Sequence, residues 1–452
     1  MSLMASRPAW QVPVQSPDGA AASDARLVAR ERLLKAAIVF AMLALTVLDR
    51  FGLQLTRGTG IAVATPAMYA LAGAMVLGGA AKLNFRAALA YLAIVSVATL
   101  SLLVNATFAP LPFVTPASLL LLTVLYAPFC VSLRQGAVTP ELWRWTVNLY
   151  IAFAVFVGVA GIVQFFVQFV FRPAWLFDYS PLIPEYLRTP GGWNTEYTLG
   201  ADGIPTDEPS LGAWSKSNGF FMREPSFFSQ LMAFGLVCEL AMARRKWVMS
   251  VLVLGLVFSY SGTGLLCLAV ALLFLPLGRE TMVGVLAFAV LAAALFVLFG
   301  DALNLSLTLN RVDEFGSSRM SAHMRFVAPA VELVRHIYSD PWTSVLGNGP
   351  GSMGRMTDRF TGGPSYARAL FEYGLVGTLA FGVLILGALN RSAAPAQIRV
   401  VAGVAWLVIG GLLDAMFVLF IYIVLAMWPE DTARALRSGA LGREAQRGVI
   451  GR

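Results

Sequence analysis

Charge is scarce in this chain. Asp, Glu, Lys and Arg make up 13% of its 452 residues, against 58% apolar residues. That balance excludes an ordinary water-soluble domain, because several apolar runs reach the roughly 20 residues with which a helix crosses a bilayer. Cysteine numbers three, Cys130, Cys238 and Cys267, all in apolar segments, which leaves no disulfide framework and no zinc site. Histidine numbers two, His323 and His336. The first thirty or so residues lack the charged, then apolar, then cleavable layout of a removable signal peptide, and residues 1–32 are expected to form a disordered cytoplasmic tail. A net charge of +8 would suit nucleic acid, but much of the excess lies in short loops and tails, where it sets membrane orientation. No nucleic-acid partner is expected.

The apolar runs predict an all-α polytopic membrane protein of about 12 transmembrane helices, near 33–53, 61–80, 87–104, 113–133, 147–171, 226–243, 247–261, 262–278, 281–300, 368–388, 399–413 and 415–429. Both termini are expected in the cytoplasm. The inner connections then carry Lys82, Arg86, Arg134, Arg144, Arg244, Arg245, Lys246, Arg279, Arg391 and Arg399, with Arg50 and Arg57 as outer exceptions. The stretch 247–278 reads either as one overlong helix or as two short ones folded at Ser259-Tyr260-Ser261-Gly262-Thr263-Gly264. The folded reading is adopted, since it puts both large polar loops on one side and keeps Arg244–Lys246 inside. The chain then divides into N-terminal membrane helices (33–171), outer loop 1 (172–225), membrane helices with a short hairpin (226–300), outer loop 2 (301–367), C-terminal membrane helices (368–429) and a basic cytoplasmic tail (430–452).

Against this apolar background, Met222-Arg223-Glu224-Pro225-Ser226 stands out. It places an Arg-Glu pair where a polar loop meets an apolar helix. Charge at a bilayer boundary is costly and marks a functional site, unless Arg223 merely snorkels to headgroups while Pro225 starts the helix. Loop 1 is rich in Pro, Gly, Trp and Tyr, whose flat apolar rings suit sugar faces or an interfacial aromatic belt. Loop 2, counted through Arg368, concentrates cations as Arg311, Arg319, Arg325, Arg335, Arg355, Arg359 and Arg368, with no lysine. Arginine's planar fork binds phosphate oxygens bidentately, which suits a diphosphate at a membrane surface. Apolar residues from Val327 to Ile337 recur at helical spacing, predicting an amphipathic helix between Met320 and Tyr338 with Arg325 near its start. The turn Gly347-Asn348-Gly349-Pro350-Gly351 follows no strand and lacks the Lys-Ser/Thr of a nucleotide-binding loop. It reads as structural. Glu372, in Phe371-Glu372-Tyr373-Gly374-Leu375-Val376-Gly377, is either an intramembrane partner for Arg223 or Arg325 or a helix-start carboxylate.

In this order the motifs resemble the O-antigen ligase and polymerase superfamily (Wzy/WaaL-like), and most of all the polymerases of bacterial exopolysaccharides. They are Arg-Glu-Pro-Ser at a helix start, a Ser-Gly turn between short helices, an Arg-led amphipathic segment, Asp340-Pro341 with a Gly-x-Gly-x-Gly turn, and Glu-Tyr-Gly-Leu-Val-Gly. The resemblance covers roughly residues 140–390. It implies a glycosyltransferase of GT-C-type architecture with two large periplasmic loops in the bacterial inner membrane. Such an enzyme is inverting, needs no metal or other cofactor, and transfers a growing glycan from undecaprenyl diphosphate to a lipid-linked repeat unit. Its partners are the lipid-linked donor and acceptor and membrane lipid, with a chain-length regulator as a candidate.

Carried over, Arg223 and Arg325 are the expected clamps for the donor diphosphate, with Arg311, Arg319, His323, Arg335 and Glu372 as further substrate-binding residues. Glu224 is the first candidate for the general base, with His323 the other. Ligases of the superfamily carry a histidine just before the last motif. Here the positions read Gly363-Pro364-Ser365-Tyr366, which favours polymerase over ligase. A lipid-linked sugar transporter or flippase is the remaining alternative. It is disfavoured by two unequal loops, by the lack of pseudo-repeat symmetry, and by a span 2–3 link without the Asp-Arg signature of major-facilitator carriers.

Overall fold

The structure is a computed structural model, described here over residues 17–56, 59–108, 114–134, 140–171, 173–189, 198–199, 214–273, 323–337, 341–356, 363–392 and 394–428. The helices in chain order are α1 (Pro17–Thr46), α2 (Ala64–Leu77), α3 (Phe85–Phe108), α4 (Pro116–Tyr126), α5 (Pro140–Val167), α6 (Pro225–Met242), α7 (Lys246–Phe258), α8 (Gly262–Leu273), α9 (Ala328–Ile337), α10 (Pro341–Leu346), α11 (Met353–Met356), α12 (Ser365–Arg391), α13 (Ala396–Val404) and α14 (Ala415–Ile421). Helices stand at eleven of the twelve expected spans; the span 281–300, all of loop 2 before His323, and the tail 430–452 lie outside the described residues. Among the described residues, four helices are long and apolar enough to cross a membrane: α3, α5 from Glu141, α6 and α12. Six shorter apolar helices run 10–17 residues, about 15–25 Å at 1.5 Å per residue. The chain is therefore mostly helical and of membrane-protein character.

Three details depart from the expected plan. Residues 17–32, read as disordered tail, belong to α1. Pro17 suits a first helical position, and the Ala-, Leu-, Arg- and Glu-rich run that follows favours helix. Secondly, the fold is not purely helical, since three small antiparallel pairs interrupt it among the described residues. These are β1 (Gly52–Thr56) with β2 (Thr59–Ala62), β3 (Ala81–Leu83) with β4 (Val131–Leu133), and β5 (Thr198–Leu199) with β6 (Trp214–Ser215). Thirdly, α12 breaks at Gly374, whose φ of 64° and ψ of −166° lie outside the helical region.

Burial follows apolar pattern. α6 is buried from Pro225 through Glu239, as expected of a helix apolar all round, and it packs against α5, α7 and α8. Its far end is closed by buried Glu239, which accepts from Arg245 N (2.6 Å), Nε (2.9 Å) and Nη2 (2.7 Å). By contrast α3 and α12 expose apolar side chains, Leu89, Leu92, Leu100 and Leu103 on one, Leu375, Leu379, Val383 and Leu386 on the other. Such surface suits lipid better than water. Residues 247–273 form two helices, as the folded reading expects. Gly235 lies against Leu252 and Gly255 against Met232, so α7 runs back along α6. Tyr260 turns the chain with a φ of 47°, and α8 starts beside Ser229, where only glycine at 264 lets the helices approach.

Candidate active site at converging helix ends

The Arg-Glu pair sits where the ends of α1, α6 and α14 meet. Glu224 is extended (φ −136°, ψ 151°) and caps α6, with Pro225 in the first turn. Pro tolerates that position because the N–H it lacks would have no helical partner. The preceding segment is tied down by α5. Gln164 Oε1 accepts from Ser217 Oγ (2.8 Å) and Asn218 N (3.1 Å), while its Nε2 donates to Leu176 O (2.7 Å) and Asn218 Oδ1 (2.8 Å). One turn on, Gln168 pairs with the backbone of Ser215 in both directions. Residues four apart share a helix face, so Gln164 and Gln168, at and just past the end of α5, tie down residues 215–218 before α6.

Arg223 is buried. Its backbone N donates to Asp49 Oδ2 (3.1 Å) and its Nε to Asp49 Oδ1 (3.1 Å). Its Nη2 lies 3.7 Å from Asp414 Oδ2, and the guanidinium rests 5.1 Å from the Phe227 ring centre. Asp414 caps α14 by accepting from Met416 N (3.0 Å). Glu224 accepts from Ser226 Oγ (2.6 Å). Burial alone would lower the Arg223 pKa, but Asp49 and Asp414 outweigh it and hold the side chain charged. Burial pushes the Asp414 carboxyl above its ordinary value, against the opposing pull of Arg223.

Arg50, 2% exposed, anchors the loop above this cluster. It ion-pairs with Asp178 and donates to Ser180 Oγ (3.1 Å), Phe177 O (2.7 Å) and Met222 O (2.8 Å). It also stacks on Tyr179 at 4.8 Å. Burial raises the Tyr179 phenol to about 12, with Arg50 opposing. Consecutive residues after α1 thus do two jobs: Asp49 holds Arg223, and Arg50 holds the loop.

The motifs of the sequence pair off in space. Ser226 and Ser229 of α6 meet the Ser-Gly turn: Ser229 Oγ lies 3.1 Å from Thr263 Oγ1 and accepts from Gly264 N (3.1 Å). The glycine turn after α10 docks on the break in α12. Asn348 N donates to Phe371 O (2.8 Å) and Gly349 N to Glu372 O (2.9 Å), which satisfies carbonyls that the break removes from the helix ladder. Its structural role is as expected.

Among the other expected site residues, Glu372 and Arg335 each pair with a neighbour on their own helix. Glu372 is fully buried and paired with Arg368 Nε at 3.0 Å. The pair is one turn apart on α12, so helical spacing supplies the partner. The amphipathic helix is present as α9, preceded by a wider turn over His323–Val327 that carries His323 and Arg325; the Arg325 side chain lies outside the described residues. Arg335 is exposed, 3.7 Å from Glu332 three residues earlier. Arg311 and Arg319 lie outside the described residues. Leu333 of α9 packs with Ala367 and Phe371, and Ser365 N donates to Gly410 O (3.1 Å), so α9 and α12 connect to the loop bearing Asp414. Asp49 and Asp414 were missed by sequence reasoning. Their signal was the one that marked Arg223, a charge at the edge of an apolar run.

A scan of the chain against protein-family models finds no match, and neither does a search of curated proteins.

Proposed function

We propose that the chain is a membrane glycosyltransferase that elongates a lipid-linked glycan, moving the growing chain from undecaprenyl diphosphate to a new lipid-linked repeat unit. The carrying observation is Arg223, held buried among Asp49, Glu224 and Asp414 at the first turns of two helices. Helix N-termini favour anions, and a guanidinium between them stabilises the charge that develops as a diphosphate leaves. In the reaction an acceptor hydroxyl oxygen bonds to the anomeric carbon as the bond to the diphosphate oxygen breaks. The hydroxyl proton passes to a carboxylate, Glu224 or Asp414. Arg223 and Arg325 neutralise the departing diphosphate, which displaces the long Asp414 contact at 3.7 Å. This reading carries with it about twelve spans, both termini in the cytoplasm and the two large loops in the periplasm of a bacterial inner membrane. A chain-length regulator is a candidate partner.

One observation favours a second reading. Arg223 is neutralised in place by Asp49 and Asp414, as in a transporter whose charge network holds a closed end shut. Proteoliposomes loaded with lipid-linked repeat units separate the two: elongation lengthens the glycan, whereas transport changes its membrane side at constant length. Movement without lengthening would replace the glycosyltransferase reading; attachment of the glycan to lipid A or protein would make the chain a ligase.

A further inference from the structure

One layer below the ionic cluster, α1, α5, α6 and α14 border a cavity with about 20 Å³ of room for the centre of a water-sized sphere. Leu45, Phe227 and Met416 line it, each within one helical turn of Asp49, Arg223 or Asp414. Most of the remaining wall is aromatic, with Phe234, Phe417 and Phe420. Two polar residues interrupt it, Tyr150 of α5 and Gln230 of α6. Tyr150 is 1% exposed and Gln230 2%. Neither the Tyr150 hydroxyl nor Gln230 Oε1 has a hydrogen-bond partner among the described residues. Buried polar atoms are almost always paired, to protein or to ordered water. A cavity holds one water once roughly 10–15 Å³ is open to its centre and at least two polar partners are present. The volume suffices here, and the wall carries two polar residues whose buried atoms lack partners among the described residues.

We propose that this cavity is a binding site for a single buried water that links the Tyr150 hydroxyl to Gln230 Oε1. The water donates one proton to Oε1 and shares a second hydrogen bond with the phenol. It thereby joins α5 to α6 beneath Phe227, on which the Arg223 guanidinium rests, and sets how α6 presents the Arg-Glu pair. The inference stands on the cavity and its two polar groups, independent of the chemistry at the cluster.

The test compares thermal midpoints of purified wild type, Tyr150→Phe, Gln230→Leu and the double variant in one detergent. Each single variant should melt lower than wild type, because it strands the other polar group. The double should melt no lower than the worse single, because nothing polar is then left unpaired. Midpoint drops that simply add would overturn the proposal. Gln230→Met, which better conserves volume, guards against a leucine that fails to fold. Independently, a cryo-electron-microscopy map that resolves waters should show a peak within hydrogen-bond distance of both atoms. A dry cavity, or a direct Tyr150–Gln230 hydrogen bond, would overturn the proposal whatever the variants do.

Discussion

Replacing Asp49 by alanine removes the carboxylate that holds Arg223 by both its backbone and its side chain. At 3.1 Å, two unit charges attract by roughly 5 kcal/mol in an effective dielectric of about 20, an attraction partly offset by desolvation. Removing one partner of a buried ion pair costs about 3–5 kcal/mol, because the other charge is left uncompensated. Asp414 remains near Arg223 at 3.7 Å, so Asp49→Ala should fall at the low end, about 3 kcal/mol. The assay is reversible unfolding in detergent of wild type, Asp49→Ala, Arg223→Ala and the double variant. If the pair is coupled as its geometry indicates, the double variant should cost about 2 kcal/mol or more less than the summed singles. Costs that add to within about 0.5 kcal/mol would refute the coupling, and with it the idea that Asp49 fixes the Arg-Glu pair.

Three more outcomes are expected. Gly374→Ala should cost at least about 2 kcal/mol, since a Cβ there overlaps the Val345 carbonyl and φ is 64°; an unchanged thermal midpoint would contradict the clasp between the glycine turn and α12. Arg50→Lys should speed proteolysis within residues 173–189, because one ammonium cannot replace the fork that reaches Asp178, Phe177 O and Met222 O; wild-type cleavage rates would show that the loop is held otherwise. The folded-state pKa of Asp414 lies above its unfolded value, so the folded protein binds that proton more tightly. Its contribution is therefore fully present below about pH 4 and is lost as pH rises through the folded-state pKa. Asp414→Asn should flatten this part of the stability–pH profile, and an unaltered slope would assign the titration to another group.

The helices were legible because apolar runs of this length have few other uses, and the turn at Ser259–Gly264 was legible from its small polar residues. Tertiary partners were not. Arg223 showed its importance by standing at a membrane edge, yet the choice between a snorkelling arginine and a clamped one depended on Asp49, 174 residues away. Arg50 was read only as an exception to the charge rule for outer turns, whereas its burial makes it the anchor of the loop. Glu372 was read either as a partner for a distant arginine or as a helix-start carboxylate, and neither reading considered Arg368, four residues off on the same helix. The helix over residues 17–32 escaped notice because its polar composition resembles that of a disordered tail as much as that of a helix standing outside the apolar bundle.

The central claim is glycan elongation that depends on two arginines. It is tested most directly by incubating the purified protein in lipid with undecaprenyl-diphosphate-linked repeat units and resolving products by length. Wild type should give a ladder, while folded Arg223→Ala and Arg325→Ala should give none. A ladder that survives both substitutions would remove these arginines from the mechanism. No ladder from active, folded wild type on authentic repeat units would contradict the glycosyltransferase account itself.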